Sequence, residues 1–279
     1  MPRPDPAAPA GAFAGRTVII TGASSGLGAR LALECARRGA NLALFSPEAE
    51  RQEQVAQACR QAGAQAIAVI GDVTIPADCA RLIQAAVERF GRLDYLVANA
   101  GISMWAPFAQ VEDLGVFRRL AEVNYLGAVH CVYYALPHLR QTRGLFVAIS
   151  SIQGRICVPL HTGYVASKHA LQGFCETLRM ELAGSGVDVL TVMPHWLRGT
   201  ELRQHALGGS GKELGQSSRP HSKESVSLEA AATAILRAME RRQRDLIIPW
   251  KLRALVILDA VWPRLAEAII RGAVRQQER

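Results

Sequence analysis

The feature that most constrains this chain lies close to its start. A β-branched, apolar run at residues 17–20 passes without a linker into Thr21-Gly22-Ala23-Ser24-Ser25-Gly26-Leu27-Gly28, and then into a helical pattern. In that pattern Leu27, Leu31 and Cys35 recur four apart on one face, and Gly39 stands where a helix C-terminus wants a left-handed residue. A strand turned this tightly into an amphipathic helix has to pack that helix back on its own sheet, which predicts an α/β layer structure. Glycines let backbone N–H groups approach an anion closely, and a helix N-terminus adds favourable partial charge. Gly22, Ser24, Ser25, Gly26, Leu27 and Gly28 are therefore candidate contacts for the pyrophosphate of a dinucleotide.

The rest of the chain repeats the alternation. Strand-like apolar runs at residues 41–45, 66–70, 95–98, 145–149, 187–192 and 246–249 are separated by amphipathic stretches. Short, continuously apolar strands between helices predict a doubly wound parallel sheet of about seven strands with helices on both faces, a single-domain Rossmann fold. The Pro/Ala-rich start without an apolar core reads as a loose tail over 1–13, residues 14–250 as one catalytic and dinucleotide-binding domain, and 251–279 as an amphipathic helical extension. The six cysteines form no CxxC and no Cys/His cluster with metal spacing, which points to reduced thiols, a cytoplasmic setting and no metal. A net charge of +8 raises anionic partners, but nine Lys/Arg against four Asp/Glu from Arg241 onward include no basic run interleaved with aromatics, so nucleic acid is not expected.

Further along, Tyr164 and Lys168 stand four apart, hence on one face of a helix, where the ammonium can lower the phenol pKa from about 10 toward working pH. A proton donor and acceptor works best with a pKa near the operating pH. Ser151 lies thirteen residues upstream at the end of the fifth strand-like run. The spacing TGxxxGxG, Asp72-Val73, Asn99-Ala100-Gly101, Asn124, Ser151 and the YxxxK of residues 164–168, in this order, resemble the short-chain dehydrogenase/reductase family, over nearly the whole chain to about residue 250.

The resemblance implies an NAD(P)H-dependent carbonyl reductase or secondary-alcohol dehydrogenase with Asn124, Ser151, Tyr164 and Lys168 as catalytic residues. It selects Ser151 over Ser150 as the hydroxyl that orients the substrate oxygen, and gives Asn124 a water in a proton relay with the lysine. Asp72, Val73, Asn99, Ala100, Gly101, Tyr164 and Lys168 then line the cofactor. Where NAD-preferring members carry an acidic residue at the end of the second strand this chain has Ser46, which favours NADP over NAD, with Arg51 the nearest basic residue for a 2′-phosphate. After the sixth strand the pattern PGxVxT is altered. His195 replaces the glycine, and Thr200 falls one place late after Pro194, Leu197 and Gly199, so either Thr200 regains its role or backbone alone holds the nicotinamide carboxamide. Residues 201–224 are expected to form a substrate lid, and Ile102, Met104, Trp105, Val158, Leu160 and Trp196 a roomy apolar pocket, in character nearest to steroid and keto-lipid reductases. The stretch 250–273 either packs on its own domain or a partner subunit, or rests on a membrane surface. A homodimer or homotetramer is expected. Outside this class stands a catalytically silent nucleotide-binding regulator of the same fold.

Overall fold

The computed structural model describes residues 11–215 and 225–277, with the side chains of 276 and 277 excepted. Seven strands form one wholly parallel sheet: β1 (Thr17–Thr21), β2 (Asn41–Ser46), β3 (Ala66–Ile70), β4 (Tyr95–Ala98), β5 (Leu145–Ile149), β6 (Asp188–Pro194) and, after a two-residue pair β7 (Leu197–Arg198) and β8 (Val226–Ser227), β9 (Asp245–Ile248). Their spatial order is β3-β2-β1-β4-β5-β6-β9. The chain winds outward from β1 in one direction to β3 and in the other from β4, so the sheet reverses between β1 and β4. Ligands of such sheets bind at the strand carboxyl ends beside that reversal.

Strand periodicity explains why the sheet is covered twice. In β1 all five residues are buried, with Val18 and Ile20 pointing into one core and Ile19 into the other. Burying each such side chain contributes about 1.5–3 kcal/mol. The first core is closed by α1 (Gly26–Ala36), α2 (Ala49–Gln61) and α7 (Leu228–Glu240); the second by α3 (Pro76–Phe90), α5 (Gly127–Thr142) and α6 (Thr162–Glu181). The short α4 (Gly115–Ala121) runs into a wider, π-type turn at Glu122–Leu126 before α5.

Three expectations are altered or refined. The N-terminal tail is not loose up to residue 13: Phe13 is fully buried, its ring 5.2 Å from that of Tyr95, whose hydroxyl donates to the Ala12 carbonyl at 3.1 Å. The C-terminal extension is two helices, α8 (Arg253–Val261) and α9 (Pro263–Gln277), because Pro263 offers no N–H to continue the first. The lid expected over 201–224 is, over 201–215, fastened to the body. Leu207 donates to the Ser103 carbonyl and accepts from the Trp105 N–H, both at 2.9 Å, while Ala206, Leu207 and Gly208 are buried. Residues 216–224 of that expected lid lie outside the described residues.

Candidate active site

The turn after β1 is shaped by close backbone contacts. Gly22 has φ +61°, and a Cβ there would lie 2.8 Å from the Ala100 Cα; a Cβ on Gly28 would lie 2.2 Å from the Gly22 carbonyl oxygen. Asn99 stitches this turn to β4, its Nδ2 donating to the Thr21 and Gly22 carbonyls at 3.0 Å, and Thr21 Oγ1 accepts from the Asn99 and Ala100 N–H groups at 3.0 Å. Ser25, at the N-cap of α1, makes no side-chain cap hydrogen bond, and no acidic residue sits in the first turn. The helix's first amides are thereby left to the neighbouring cavity, an anion site by construction.

That cavity, of about 510 Å³, runs along the strand carboxyl ends. Gly22, Ser24, Ser25, Gly26 and Leu27 line it at the turn, Ser46, Asp72 and Val73 beyond β2 and β3, and Asn99, Ala100 and Gly101 after β4. Ser151, Tyr164, Lys168, Pro194, Leu197 and Thr200 complete the other side. Two expected site residues are not in its wall. Gly28 sits behind the turn, where its missing side chain admits the Gly22 carbonyl. Asn124, 1% exposed in the π-type turn, spends its amide on Ile102 (accepting from N–H at 2.8 Å, donating to C=O at 2.9 Å) and on Ser167 Oγ at 2.9 Å. Gly101 lies between Asn124 and Lys168: a Cβ there would be 3.1 Å from Asn124 Oδ1 and 3.6 Å from Lys168 Nζ.

Ser151, Tyr164 and Lys168 are brought together by β5 and α6. Ser151 Oγ accepts from the Gln153 N–H at 3.1 Å and shares a hydrogen bond with the Tyr164 hydroxyl. Lys168 Nζ donates to the Ile149 carbonyl at 2.9 Å and lies 5.7 Å from the centre of the Tyr164 ring. The expectation that the lysine brings the phenol down to working pH is reversed in this arrangement. Burial pushes the Tyr164 phenol up to about 12, against a smaller downward pull from Ser151, and burial pushes the Lys168 ammonium down to about 8. The physical reason is that both groups are desolvated in one wall while the ammonium is aimed at a backbone carbonyl.

At the β2 end the premise behind an NADP preference also changes. Ser46 is buried and its Oγ accepts from the Glu48 N–H at 3.1 Å. Two residues on, Glu48 lines the cavity, its carboxylate accepting from Ser24 Oγ at 2.6 Å. Arg51 is held by Glu201 through two hydrogen bonds of 2.8 and 2.7 Å. Thr200, next to Glu201, donates to the Leu197 carbonyl at 3.2 Å and is the nearest neighbour a Cβ on Gly26 would meet, at 3.6 Å, which sets it against the glycine turn. His195 lines the cavity and its N–H donates to the Ile248 carbonyl at 2.7 Å.

Of the expected pocket residues, Ile102 and Trp196 line the cavity, Met104 is fully buried and accepts from the Gly163 N–H through its sulfur, and Trp105 packs edge-on to His161 at 4.8 Å. His161, 1% exposed, also lies 5.9 Å from Trp196 and 6.3 Å from Tyr164, an aromatic cluster behind the tyrosine from which Trp196 reaches the cavity wall. Val158 packs instead with Ile156 and Ile270 under α8 and α9. Sequence reading missed Gln153, Glu48, Glu201 and His205 in the wall. Gln153 is 6% exposed with no hydrogen-bond partner for Oε1; its place two residues after Ser151 was the available signal. Among the described residues no group of three or more His, Cys, Asp or Glu side chains could hold a metal, and no helix is long and apolar enough to cross a membrane.

Comparison with known proteins agrees with this geometry. The family model described as short chain dehydrogenase matches residues 16–208. The chain is 38% identical over 259 residues to 11-beta-hydroxysteroid dehydrogenase A of Arachis hypogaea, covering 91% of this chain and 74% of that one. It is 37% identical over 255 residues to 11-beta-hydroxysteroid dehydrogenase-like 4A of Arabidopsis thaliana, covering 90% and 82%. Among solved structures, a short-chain dehydrogenase/reductase from Burkholderia phymatum in complex with NAD superposes with a TM-score of 0.78 at 25% identity, covering 91% of this chain and 95% of that one. An alcohol dehydrogenase from Thermococcus sibiricus, complexed with 5-hydroxy-NADP, gives 0.71 at 26% identity, covering 83% and 95%.

Proposed function

The chain belongs to the short-chain dehydrogenase family and is an NAD(P)-dependent oxidoreductase, and from that premise we propose that it interconverts a bulky apolar ketone and its secondary alcohol, with Tyr164 carrying the proton. The observation that supports this most is the placement of Ser151, Tyr164 and Lys168 in one buried wall of the same cavity that the glycine turn opens into.

The residues present fit a dinucleotide. Side-chain-free Gly22 and the uncapped start of α1 suit a pyrophosphate, and the wall takes in Asp72 and Val73 on one side of the sheet reversal and Ser151 and Tyr164 on the other. When bound, the nicotinamide supplies or accepts the hydride. The chain's own part is proton handling and orientation. In the reducing direction the Tyr164 hydroxyl donates its proton to the substrate oxygen, which the Ser151 hydroxyl holds in register. In the oxidising direction the phenolate takes the alcohol proton. Asn124, through Ile102 and Ser167, fixes the backbone beside Gly101 and Lys168, whose ammonium lies 5.7 Å from the Tyr164 ring centre.

Trp196, backed by His161 and Trp105, and the Ile102 side chain favour a flat, apolar substrate, and the partnerless Gln153 Oε1 favours one that also carries a hydroxyl. We include in this reading a cytoplasmic enzyme that meets its substrate at a lipid surface. On α8 and α9 and at the Trp262 joint between them, the side chains of Ile257, Val261, Trp262, Leu265 and Ile269 are exposed, while Ala266, Ile270 and Val274 are buried. A homodimer or homotetramer belongs to it as well, with Tyr133 and Met180 as outward apolar groups on α5 and α6. The test is a panel of steroids, ketosphingoid bases and aryl ketones with the matching alcohols, read by nicotinamide absorbance. Turnover on a polycyclic or long-chain member supports the reading; cofactor binding with no turnover on any member makes the chain a silent nucleotide binder.

A further inference from the structure

The adenosine end of the cavity carries a charge pattern that the end of β2 alone does not reveal. Ser46 offers only a hydroxyl, and it is occupied in turning the chain toward Glu48. Glu48 reaches back across the mouth, where Ser24 of the glycine turn fixes one of its carboxylate oxygens at 2.6 Å, and the side chain forms part of the cavity wall. From the segment after β6, Glu201, 150 residues from Arg51 in sequence, forms another part of the same wall. Arg51, on α2, stands outside that wall and ties the two together: its guanidinium makes both bonds to Glu201 and lies 3.7 Å from Glu48 Oε1. The guanidinium beside Glu201 holds that carboxyl below the usual range, so it is ionised at neutral pH. At this end the cavity therefore presents Glu48 and Glu201, with the Arg51 guanidinium already engaged by Glu201 and His205, 3.8 Å from Glu201, bonded to Glu213 at 2.9 Å.

These groups treat the two forms of the cofactor differently. The free ribose hydroxyls of NAD are donors, and a carboxylate is an acceptor with about four lone-pair sites. The 2′-phosphate of NADP offers mainly acceptor oxygens and brings roughly −1.5 to −2 charges at neutral pH. To be held here it would have to take Arg51 from a two-bond pair with Glu201 while lying against Glu48. We propose, resting on the oxidoreductase reading above, that Glu48 is the acceptor for the adenosine ribose hydroxyls and that Glu48 and Glu201 together select NAD(H) over NADP(H). Arg51 acts as the brace that holds the two carboxylates side by side, not as a phosphate clamp. The carboxylate missing from position 46 is thus supplied from position 48, with a second from the substrate segment.

The experiment is isothermal titration of the full chain with NAD+ and with NADP+, for the wild type and for Glu48→Gln, Glu201→Gln and Arg51→Gln, each variant first checked for an unchanged melting profile. The expected wild-type result is tighter binding of NAD+, by about tenfold to a hundredfold, the size of a charge-assisted hydrogen bond. Each glutamate substitution should shrink that ratio by roughly tenfold, Glu48→Gln through loss of the acceptor charge and Glu201→Gln by freeing Arg51 toward the phosphate. Arg51→Gln should weaken NAD+, because the unbraced carboxylates repel. Tighter wild-type binding of NADP+, a ratio that neither glutamate substitution moves, or an Arg51→Gln variant weakened toward NADP+ alone would each overturn the proposal and leave the oxidoreductase reading intact. A wild-type chain that binds neither dinucleotide would overturn that reading instead.

Discussion

The two ends of the strand carboxyl edge are built by different means. On the β1–β4 side the binding surface is backbone: Gly22 and Gly28 pack against neighbouring main chain, Thr21 and Asn99 join two strands, and α1 begins with open amides. On the β5, β6 and β9 side it is made by side chains from segments far apart in sequence. His161 meets Trp105 and Trp196, Leu207 is joined to the Ser103–Trp105 stretch, and α8 and α9 bury Ile152 and Ile156. The first kind of site tolerates almost no added atom. The second can be retuned residue by residue, which is why a shared fold carries different substrates.

Breaking the chemistry common to both sides should give the largest effect. Tyr164→Phe removes the proton but not the ring, and turnover should fall by about 10²–10⁴-fold or more while cofactor affinity stays within a few-fold; stopped-flow nicotinamide absorbance with a parallel binding titration checks both. Next comes the backbone side. Gly28→Ala places a methyl group 2.2 Å from the Gly22 carbonyl oxygen, so the fold should lose about 1–3 kcal/mol and cofactor affinity should fall more than about tenfold. Denaturant melts and titration measure these, and unchanged binding would show that the turn is not the rigid cradle described. The pH profile sharpens the contrast further. With the phenol pushed up to about 12, Tyr164 stays protonated through the neutral range, so reduction should not decline through tyrosine ionisation from about pH 6 to 10, whereas oxidation, which needs the phenolate, should keep rising with pH. An oxidation rate (kcat/KM) that levels off near pH 7 would mean that bound cofactor restores the lysine's effect on the phenol. The smallest change in stability belongs to the outer face of the C-terminal helices. Trp262→Ser, at a site 63% exposed, should alter stability by no more than about 0.5 kcal/mol yet reduce sedimentation with anionic vesicles, and unaltered sedimentation would remove the lipid surface from the reading.

What could be read early and what could not follows the same division. The seven runs of apolar residues, the glycine turn and the Tyr164–Lys168 spacing are local patterns, and periods of two and of 3.6 declare themselves within a dozen residues. Asn124 was singled out by its order among the other motifs, but that its amide is consumed by Ile102 and Ser167 depends on α6 packing across the turn. Phe13 was read as tail because the Pro/Ala run hides a single aromatic whose partner, Tyr95, is on β4. The fastened 201–215 segment looked mobile from its glycines, yet it is held by main-chain bonds to residues 103–105, which composition does not register.

By itself the sequence determined the alternation of strands and helices, the place of the phosphate turn, and the identities of the groups able to move a proton, because these depend on covalent order and local periodicity. The tertiary structure alone decided which charges meet. Glu48 and Glu201 share Arg51 across 150 residues of chain, and Tyr164 and Lys168 are shifted in opposite directions from their ordinary pKa values by a wall neither could build locally. The reason is that desolvation and Coulomb interactions depend on distance in space, and folding brings together groups whose separation along the chain carries no trace of that distance.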